Sequence, residues 1–366
     1  MTGVLTPGHR VRLPVEVVIP LRWHAGRRSG EAVEEMRRYL RGLAALADVT
    51  VVDGSAPPER EAHQSAWGRW ARIVPPGARE GANGKVVGAL SGIDAARHEL
   101  VVLADDDVRY DEASLRAVVA ALGTSDVVRP QNVFTRWPWH ARWDTARSLL
   151  ARSVGADWPG TFGLRASAVR LMGGWDPDVL FENLEMVRTA EAAGCRVRNA
   201  PQIVIGRRPP STRHFWSQRV RQAYDDLAQP ARLAVELAIL PGAVLAAWHR
   251  PRALLVAGAG LVAAAEVGRR RFRALDLPVD VPLWAPVWAA ERGICVWLAL
   301  ASRLGGGMPY HGRRLRTAAR PGPRHRPRRM RARPGDLRHT TRSPHDSATN
   351  AAVSAGYPFR AGRLPQ

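Results

Sequence analysis

Short apolar runs alternate with segments of helical periodicity over the first third of the chain. Runs with the length and Val/Leu content of buried strands lie at 15–21, 49–52, 73–74 and 100–104. Between them, 31–46 and 85–96 carry apolar residues at helical spacing. Because strands and helices alternate, the pattern favours a parallel, doubly wound sheet covered by helices.

The pattern changes near residue 231, where long apolar stretches begin. These stretches lie at 233–248, 253–267 and 281–302. The first two are shorter than the roughly 20 residues of a full membrane span, and Glu291 and Arg292 interrupt the third. Apolar residues beside basic flanks favour membrane-associated or short re-entrant helices, with buried core helices as the alternative.

Composition adds a strong positive charge to this picture. The 366 residues carry a formal net charge of +21, almost wholly from arginine, and Lys85 is the only lysine. Such a charge favours nucleic acid, anionic lipid or phosphorylated partners. No helix-turn-helix, zinc-finger or RNA-recognition signature is present, so we expect no specific nucleic-acid partner. Cys195 and Cys295 fit neither a disulfide framework nor a zinc site, and residues 1–14 lack the apolar region of a signal peptide.

Three carboxylates, Asp105, Asp106 and Asp107, directly follow the apolar run 100–104. Adjacent anions repel one another unless a cation lies among them. Mg²⁺ or Mn²⁺ holding a diphosphate meets this need, because these ions prefer one or two carboxylates plus phosphate oxygens. Ligands of open α/β sheets also bind at the carboxyl ends of strands. The alternative is a solvated loop that caps the next helix through Asp107 or Asp111.

Other residues at the predicted strand ends suit a nucleotide. Pro20 ends the first strand, where a loop can pass a nucleotide, and Asp53 ends the second, placed to accept hydrogen bonds from a base or ribose. Gly84 and Lys85 open a helix, where free N–H groups and an ammonium suit a phosphate. We therefore expect one site that collects these residues.

Short motifs follow one another in a set order along the chain. They are Val15-Glu-Val-Val-Ile-Pro20, Val51-Val-Asp-Gly-Ser55, Gly84-Lys-Val-Val-Gly-Ala-Leu90, Leu103-Ala-Asp-Asp-Asp107, Gly173-Gly-Trp-Asp176, Phe181-Glu-Asn-Leu-Glu-Met186 and Gln218-Arg-Val-Arg-Gln222. In this order they resemble the family 2 glycosyltransferases, inverting sugar-nucleotide enzymes with a GT-A fold. The resemblance covers about 15–230 and extends to the apolar C-terminal region common in membrane-bound members. It implies a Rossmann-like, mostly parallel sheet followed by membrane-associated helices.

The resemblance also implies roles for residues at the donor end. In the family, the aspartate after the second strand contacts the nucleotide base, which maps to Asp53. The D-x-D carboxylates contact the ribose and the metal on the diphosphate, which maps to Asp105 and Asp107. A Mg²⁺ or Mn²⁺ ion neutralises the leaving nucleoside diphosphate. Lys85 is expected to add contacts to the phosphate or base.

An inverting transfer needs a general base to deprotonate the acceptor hydroxyl. The family supplies it from a Glu-Asp pair at the start of a helix, but here the pair reads Glu182-Asn183. An amide has no basic lone pair of useful pKa, so we expect Glu182 to be the base, with Glu185 second. The alternative for both glutamates is a capping or solvated helix face.

Gln218 and Arg221 resemble the Q-x-x-R-W signature of membrane-embedded members, which helps hold the acceptor and the diphosphate. Gln222 stands where that signature has Trp. This departure argues against processive polymer synthesis.

The expected organisation has four parts. These are an N-terminal extension (1–14), a GT-A domain (15–230), an apolar membrane-associated region (231–310) and a basic disordered tail (311–366). The expected function is metal-assisted transfer of a sugar, with inversion, from a nucleotide-sugar donor to a lipid-linked, glycan or cell-envelope acceptor. The expected place is the cytoplasmic membrane, with the catalytic domain facing the cytoplasm. The alternatives are a catalytically inactive scaffold at the membrane and a nucleotidyltransferase, and the latter does not account for Gln218 and Arg221.

Overall fold

The computed structural model describes residues 12–24, 30–155, 157–271, 277–310 and 312–320. Most of the predicted N-terminal extension and residues 321–366 of the predicted basic tail therefore lie outside the described residues.

Strands and helices alternate through the described chain, and the four runs that the hydrophobic pattern predicts as strands over the first third are strands. The strands are β1 Val15–Leu21, β2 Asp48–Asp53, β3 Arg72–Val74, β4 Leu100–Ala104, β5 Val108–Arg109, β6 Val127–Phe134, β7 Thr161–Arg165, β8 Val197–Arg207, β9 Met308–Tyr310 and β10 Arg313–Leu315. The helices are α1 Gly30–Ala44, α2 Pro57–Trp67, α3 Gly84–Asp94, α4 Glu112–Ala121, α5 Trp139–Val154, α6 Ala166–Leu171, α7 Glu182–Ala192, α8 Thr212–Asp225, α9 Pro230–His249, α10 Pro251–Arg271 and α11 Ala285–Leu304.

The main sheet has the strand order β3-β2-β1-β4-β7-β6-β8-β5. Strands β3, β2, β1 and β4 are parallel, and β1 and β4 are apolar runs buried on both faces, as expected for parallel strands under helices. Helix α3 packs closely on this half of the sheet at Gly92. A Cβ added at that position would lie only 2.3 Å from Val18 Cγ1, so a larger residue would not fit there. The predicted α/β fold class is confirmed.

The other half of the sheet departs from the parallel, doubly wound pattern. Strand β7 pairs antiparallel with β4 and with β6, and β5 pairs antiparallel with β8, whereas β6 and β8 are parallel. The sheet is thus mixed. Since β7 runs against β4, the start of β7 lies at the same edge as the end of β4, with Thr161 opposite Ala104. That edge therefore collects the ends of β1, β2 and β4 and the loop before β7.

Two C-terminal helices, α9 and α10, are long and apolar enough to cross a membrane by length and composition. Most of their side chains are exposed, including Leu245 and Leu255. Helix α11 differs, because one of its faces is buried and carries Arg292, which is 1% exposed. The two charged residues that interrupt the third apolar stretch therefore face the protein interior.

The segment 312–320 packs against the residues before α7, although the predicted tail begins at 311. Strand β10 pairs antiparallel with β9. The amides of Leu180 and Phe181 then donate hydrogen bonds to Thr317 O and Ala318 O, at 3.0 and 2.7 Å. The small apolar side chains of this segment, such as Ala318, are buried, which explains why it is ordered despite its basic neighbours.

Candidate active site

A cavity of about 1750 Å³ opens at the sheet edge where β1, β2 and β4 end. Helix α3, the start of α7, one face of α8 and the β9–β10 hairpin complete its walls. The predicted site residues that line it are Pro20, Lys85, Asp105, Asp107, Glu182, Gln218 and Arg221. Asp53 and Glu185 do not line it.

The three consecutive aspartates after β4 have different partners. The Asp105 amide donates to Gly160 O at 2.9 Å, and Asp106 Oδ2 accepts from Trp23 Nε1 at 2.7 Å. Asp107 Oδ2 accepts from Arg207 Nε at 2.9 Å, and its Oδ1 is buried with no hydrogen-bond partner among the described residues. Neither Asp105 nor Asp107 caps α4.

The cap of helix α4 is Asp111, through a capping box with Ser114. The Asp111 side chain accepts from Ser114 N at 2.8 Å. Of the two aspartates named in the helix-cap alternative, Asp107 is therefore left facing the cavity.

Lys85 joins the aspartates to the start of α7. Asn83 caps α3 by accepting from Lys85 N at 3.1 Å, which fixes the lysine in the first turn. Its Nζ lies 2.6 Å from Asp105 Oδ1 and 2.8 Å from Glu182 Oε1. Burial opposes the charged amine, but the two carboxylates outweigh it and raise the pKa of Lys85. Burial likewise opposes ionisation of Glu182, yet Lys85 and Arg221 hold the pKa of this carboxyl below its usual value.

The aspartates fit a divalent cation that is shared with a diphosphate. Among the described residues no group of three His, Cys, Asp or Glu side chains could hold a metal ion. The pair Asp105 and Asp107 supplies two carboxylates, and the unpartnered Oδ1 of Asp107 is a hard oxygen ligand at the cavity. Mg²⁺ characteristically takes one or two carboxylates and completes its shell with substrate phosphates and water. These two carboxylates therefore fit a divalent metal whose shell is completed by phosphate oxygens and water.

Asp53 lies at the end of β2 but faces away from the cavity. It is 0% exposed, its Oδ1 accepts from Ser55 N at 2.9 Å, and its Oδ2 lies 2.6 Å from His63 Nδ1. His63 in turn stacks on Trp67 at 4.3 Å between ring centroids. Although burial opposes it, hydrogen bonds from His63 and Ser55 lower the pKa of Asp53. The structure thus places this carboxylate in a buried polar pair, and a base contact from it stays a prediction.

The second predicted base, Glu185, is also turned away from the cavity. It is fully buried, and its Oε2 accepts from the Arg320 amide at 2.7 Å. Its neighbour Asn183 lines the cavity and donates from Nδ2 to Pro159 O at 3.0 Å. A carboxylate has no proton to donate to that carbonyl, so the amide suits this position.

Helix α8 presents Gln218 and Arg221 to the cavity side by side. Arg221 Nη1 donates to Gln218 Oε1 at 2.9 Å, and its guanidinium lies 5.2 Å from the Tyr310 ring centroid. Gln222 and Asp225 continue the same wall. The face of α8 that lines the cavity therefore extends one turn beyond the predicted pair.

Asp225 is a cavity carboxyl that the motif comparison missed. Its Oδ1 is buried with no hydrogen-bond partner among the described residues. Burial, together with the negative charges of Glu182 and Asp226, raises the pKa of Asp225 to about 8, against the opposing effects of Arg221 and Arg292. The sequence holds a signal for it, since Asp225 follows Gln218 by two helical turns.

Helix α11 braces α8 through buried ion pairs. Arg292 Nη1 lies 2.9 Å from Asp226 Oδ2, and Glu291 Oε2 lies 3.6 Å from Arg219 Nη1. Because Arg292 is buried and the side chain of Glu291 is only 8% exposed, these pairs tie α11 to the wall of the cavity.

Parts of the chain match two glycosyltransferase family models. Residues 100–265 match the family model Glycosyl transferase family group 2, and residues 62–133 match Glycosyl transferase family 21. The first match runs from β4 through the aspartates and α8 into α10. No curated protein matches the chain in sequence.

Solved structures to which the chain is similar include a mannosyltransferase from Pyrobaculum calidifontis in complex with GDP-Man and Mn²⁺. It is 17% identical, with a TM-score of 0.42 over 83% of this chain and 79% of that chain. Another is glucosyl-3-phosphoglycerate synthase from Mycobacterium tuberculosis in complex with Mn²⁺, UDP and glucosyl-3-phosphoglycerate, at 14% identity and a TM-score of 0.37 over 55% of this chain and 74% of that chain. On these two family matches the chain is a glycosyltransferase, similar over residues 100–265 to glycosyl transferase family group 2.

Proposed function

We propose that this glycosyltransferase moves a sugar from a nucleotide-sugar donor to a membrane-linked acceptor, with a divalent metal and with inversion at the anomeric carbon. The observation that carries the proposal is the shared contact of Lys85 with Asp105 and Glu182. It brings the carboxylates suited to a metal diphosphate and the start of α7, where the acceptor is expected, into one cavity.

The donor diphosphate is proposed to lie between the aspartates and the start of α3. Asp105 and Asp107 would hold Mg²⁺ or Mn²⁺, which neutralises charge on the leaving nucleoside diphosphate when bound. Lys85 lies in the first turn of α3, where the helix N-terminus also favours an anion. Pro20 lines the cavity at the end of β1, beside the expected path of the nucleotide.

The acceptor is proposed to lie between α7 and α8. Gln218 and Arg221 form one wall there, and the carboxyl groups of Glu182 and Asp225 face the same space. Attack by a hydroxyl on the anomeric carbon, opposite the leaving diphosphate, gives inversion. Glu182 is the base expected from the motif, whereas Glu185 is outside the cavity and is not part of this proposal.

A membrane-linked acceptor is supported by the helices beside the acceptor wall. Arg232, in the first turn of α9, lines the cavity, and the rest of α9 exposes apolar side chains. An acceptor head group can thus enter the cavity while its lipid lies along α9 and α10. We place the catalytic domain on the cytoplasmic side because Cys195 and Cys295 are free thiols, which suits a reducing compartment.

The test is sugar release or transfer by the purified full chain with a panel of UDP- and GDP-sugars and Mn²⁺ or Mg²⁺, and with chelator. We expect metal-dependent turnover, and in Asp107→Ala a loss of about 100-fold or more, since a catalytic metal is worth several kcal/mol. Glu112→Gln, an exposed change on α4, is the control. Equal turnover with chelator would remove the metal from the proposal, and no turnover with any donor would favour the inactive scaffold. Retention of the anomeric configuration would refute inversion.

A further inference from the structure

We infer that Asp225, and not Glu182, takes the proton from the acceptor hydroxyl, an inference that rests on the glycosyl transfer proposed above. The family motif points to the start of α7, where Asn183 replaces the expected aspartate. The structure shows instead a second carboxyl on α8, in the same cavity.

Glu182 is poorly suited to accept a proton, because its carboxylate already has a cation. Lys85 Nζ lies 2.8 Å from Glu182 Oε1, and the same ammonium lies 2.6 Å from Asp105 Oδ1. This shared contact and the charge of Arg221 lower the pKa of Glu182, even though burial opposes ionisation. A carboxylate stabilised in this way binds a proton weakly. The position of Glu182 suits it instead to orient the ammonium group of Lys85.

Asp225 differs from the other carboxylates of the cavity in its partners. Asp107, Asp144 and Asp226 are each paired with an arginine. In the described part of the chain no ion pair joins Asp225 to an arginine or lysine, and its Oδ1 has no hydrogen-bond partner. Its carboxyl group is therefore available to an acceptor hydroxyl on the wall formed by α8.

The charges that face Asp225 come from every element around it. Glu182 on α7 and Asp226 after α8 add to burial in raising the pKa of Asp225 to about 8, while Arg221 on α8 and Arg292 on α11 oppose the rise. A general base works best when its pKa lies near the working pH, because the ionised fraction and the proton affinity are then both substantial. Asp225 meets this condition in the free enzyme.

The step balances without any further reactant. The acceptor O–H bond breaks as its proton passes to the ionised carboxylate of Asp225, and the acceptor oxygen forms a bond to the anomeric carbon. The bond from that carbon to the diphosphate oxygen breaks, and its electron pair leaves with the nucleoside diphosphate. The products are an inverted glycoside, a nucleoside diphosphate and a protonated Asp225, which returns its proton to solvent.

Two amide variants of the full chain separate the two carboxyl groups. Asp225→Asn and Glu182→Gln are compared with the wild type, with Asp225→Glu as the conservative rescue and Glu112→Gln as the surface control. The first readout is release of sugar to water from UDP-glucose and GDP-mannose with Mn²⁺, at pH values from about 5.5 to about 9.5 that bracket the pKa of the Asp225 carboxyl. The second readout is binding of UDP or GDP with Mn²⁺, measured by calorimetry.

We expect wild-type kcat/KM to rise with pH and to level off above about 8. Asp225→Asn should lower kcat about 100-fold or more and abolish this rise, with nucleotide binding unchanged within about twofold. Asp225→Glu should recover part of the rate and of the rise, whereas Glu182→Gln should keep the rise. Loss of the rise in Glu182→Gln, with the rise kept in Asp225→Asn, would overturn the assignment and leave the transfer itself intact. A wild type that binds nucleotide but releases sugar from no donor would instead overturn the proposed function and the assignment together.

Discussion

Lys85, the only lysine of the chain, places its Nζ 2.8 Å from Glu182 Oε1. The contact joins α3 to α7 across the cavity, and the same nitrogen also reaches Asp105. One cation therefore holds Asp105, on the proposed donor side, and Glu182, on the proposed acceptor side, at a fixed separation. Replacing it should affect both sides together.

We expect Lys85→Met to lower kcat/KM for sugar release by about 10- to 100-fold, because a hydrogen bond between charged groups is worth about 1.5–3 kcal/mol. It should also weaken binding of UDP or GDP with Mn²⁺, since a cation at the helix N-terminus is lost. Steady-state kinetics and calorimetry measure the two effects, and Arg116→Met on the exposed face of α4 is the control. Unchanged nucleotide affinity would contradict the proposed position of the diphosphate.

Asn183→Asp restores the acidic pair that the family motif expects, yet we expect it to lower activity. The new carboxylate would face Pro159 O, which now accepts a hydrogen bond from Asn183 Nδ2 at 3.0 Å. The hydrogen bond would be lost, and two acceptors, the new carboxylate and the Pro159 carbonyl oxygen, would face each other. We expect this to lower the free energy of unfolding by about 1–3 kcal/mol. Thermal unfolding and turnover of wild type and variant test this. A gain in turnover would show that the position can act as the base.

The strands of the first third could be predicted closely, because local changes between apolar and polar residues mark their ends. The apolar run 100–104 ends at three charges and matches β4 to the residue, and 15–21 matches β1 in the same way. The antiparallel direction of β7 could not be predicted, because the hydrophobic pattern of a strand does not determine which strand pairs with it or whether the pair is parallel or antiparallel. The mixed half of the sheet follows from those long-range pairings.

The same limit explains which site residues the sequence located. Lys85 and Asp105 come together because strand ends and helix starts of a parallel sheet share one edge. The sequence places Asp53 at the same edge. In the structure its carboxylate is hydrogen-bonded to His63 on α2, and the hydrophobic pattern does not reveal how that helix packs. Glu185 is likewise removed by a contact with Arg320, which is 135 residues away. The types and order of residues along the chain therefore show at which edge of the sheet the site lies. Which side chains point into the site depends on contacts with residues far away in the sequence.

Gly160→Ala should weaken metal-dependent nucleotide binding with little effect on folding. A Cβ at Gly160 would lie 2.6 Å from Asp105 Oδ2, so the carboxylate must move away from its present position. Its backbone is not in the left-handed region, so an alanine adds no conformational strain. We expect about a tenfold loss in binding of UDP or GDP with Mn²⁺, equal to about 1.4 kcal/mol.

Gly42→Ala on α1 is the matched control for that change, because nothing lies within 4 Å of its added Cβ. Its nucleotide binding should equal that of the wild type. Equal binding by Gly160→Ala as well would show that the position of Asp105 is not critical for the metal diphosphate.

Asp157 anchors the loop before β7, and its effect on stability should depend on pH. Its Oδ1 accepts from Arg147 Nη1 at 2.8 Å and its Oδ2 from Ser148 Oγ at 2.5 Å. Burial opposes ionisation, but Arg147 and Arg152 hold the pKa of Asp157 well below its usual range. A carboxyl with a depressed folded-state pKa stabilises the fold at pH values above its unfolded pKa, near 3.9, and that contribution falls as pH drops below it.

Asp157→Asn should therefore lower the free energy of unfolding by about 3 kcal/mol at pH 7, the scale of a broken buried ion pair. The difference from wild type should shrink at pH 3, where the unfolded carboxyl is protonated and part of the linkage is lost. Denaturant unfolding at both pH values measures this. Asp94→Asn, which removes a half-exposed pair with Arg79, should change stability by about 0–1 kcal/mol at pH 7. A difference between wild type and Asp157→Asn that is equal at pH 7 and pH 3 would show that the ion pair with Arg147 does not stabilise the loop, since only the ionised carboxylate makes that pair.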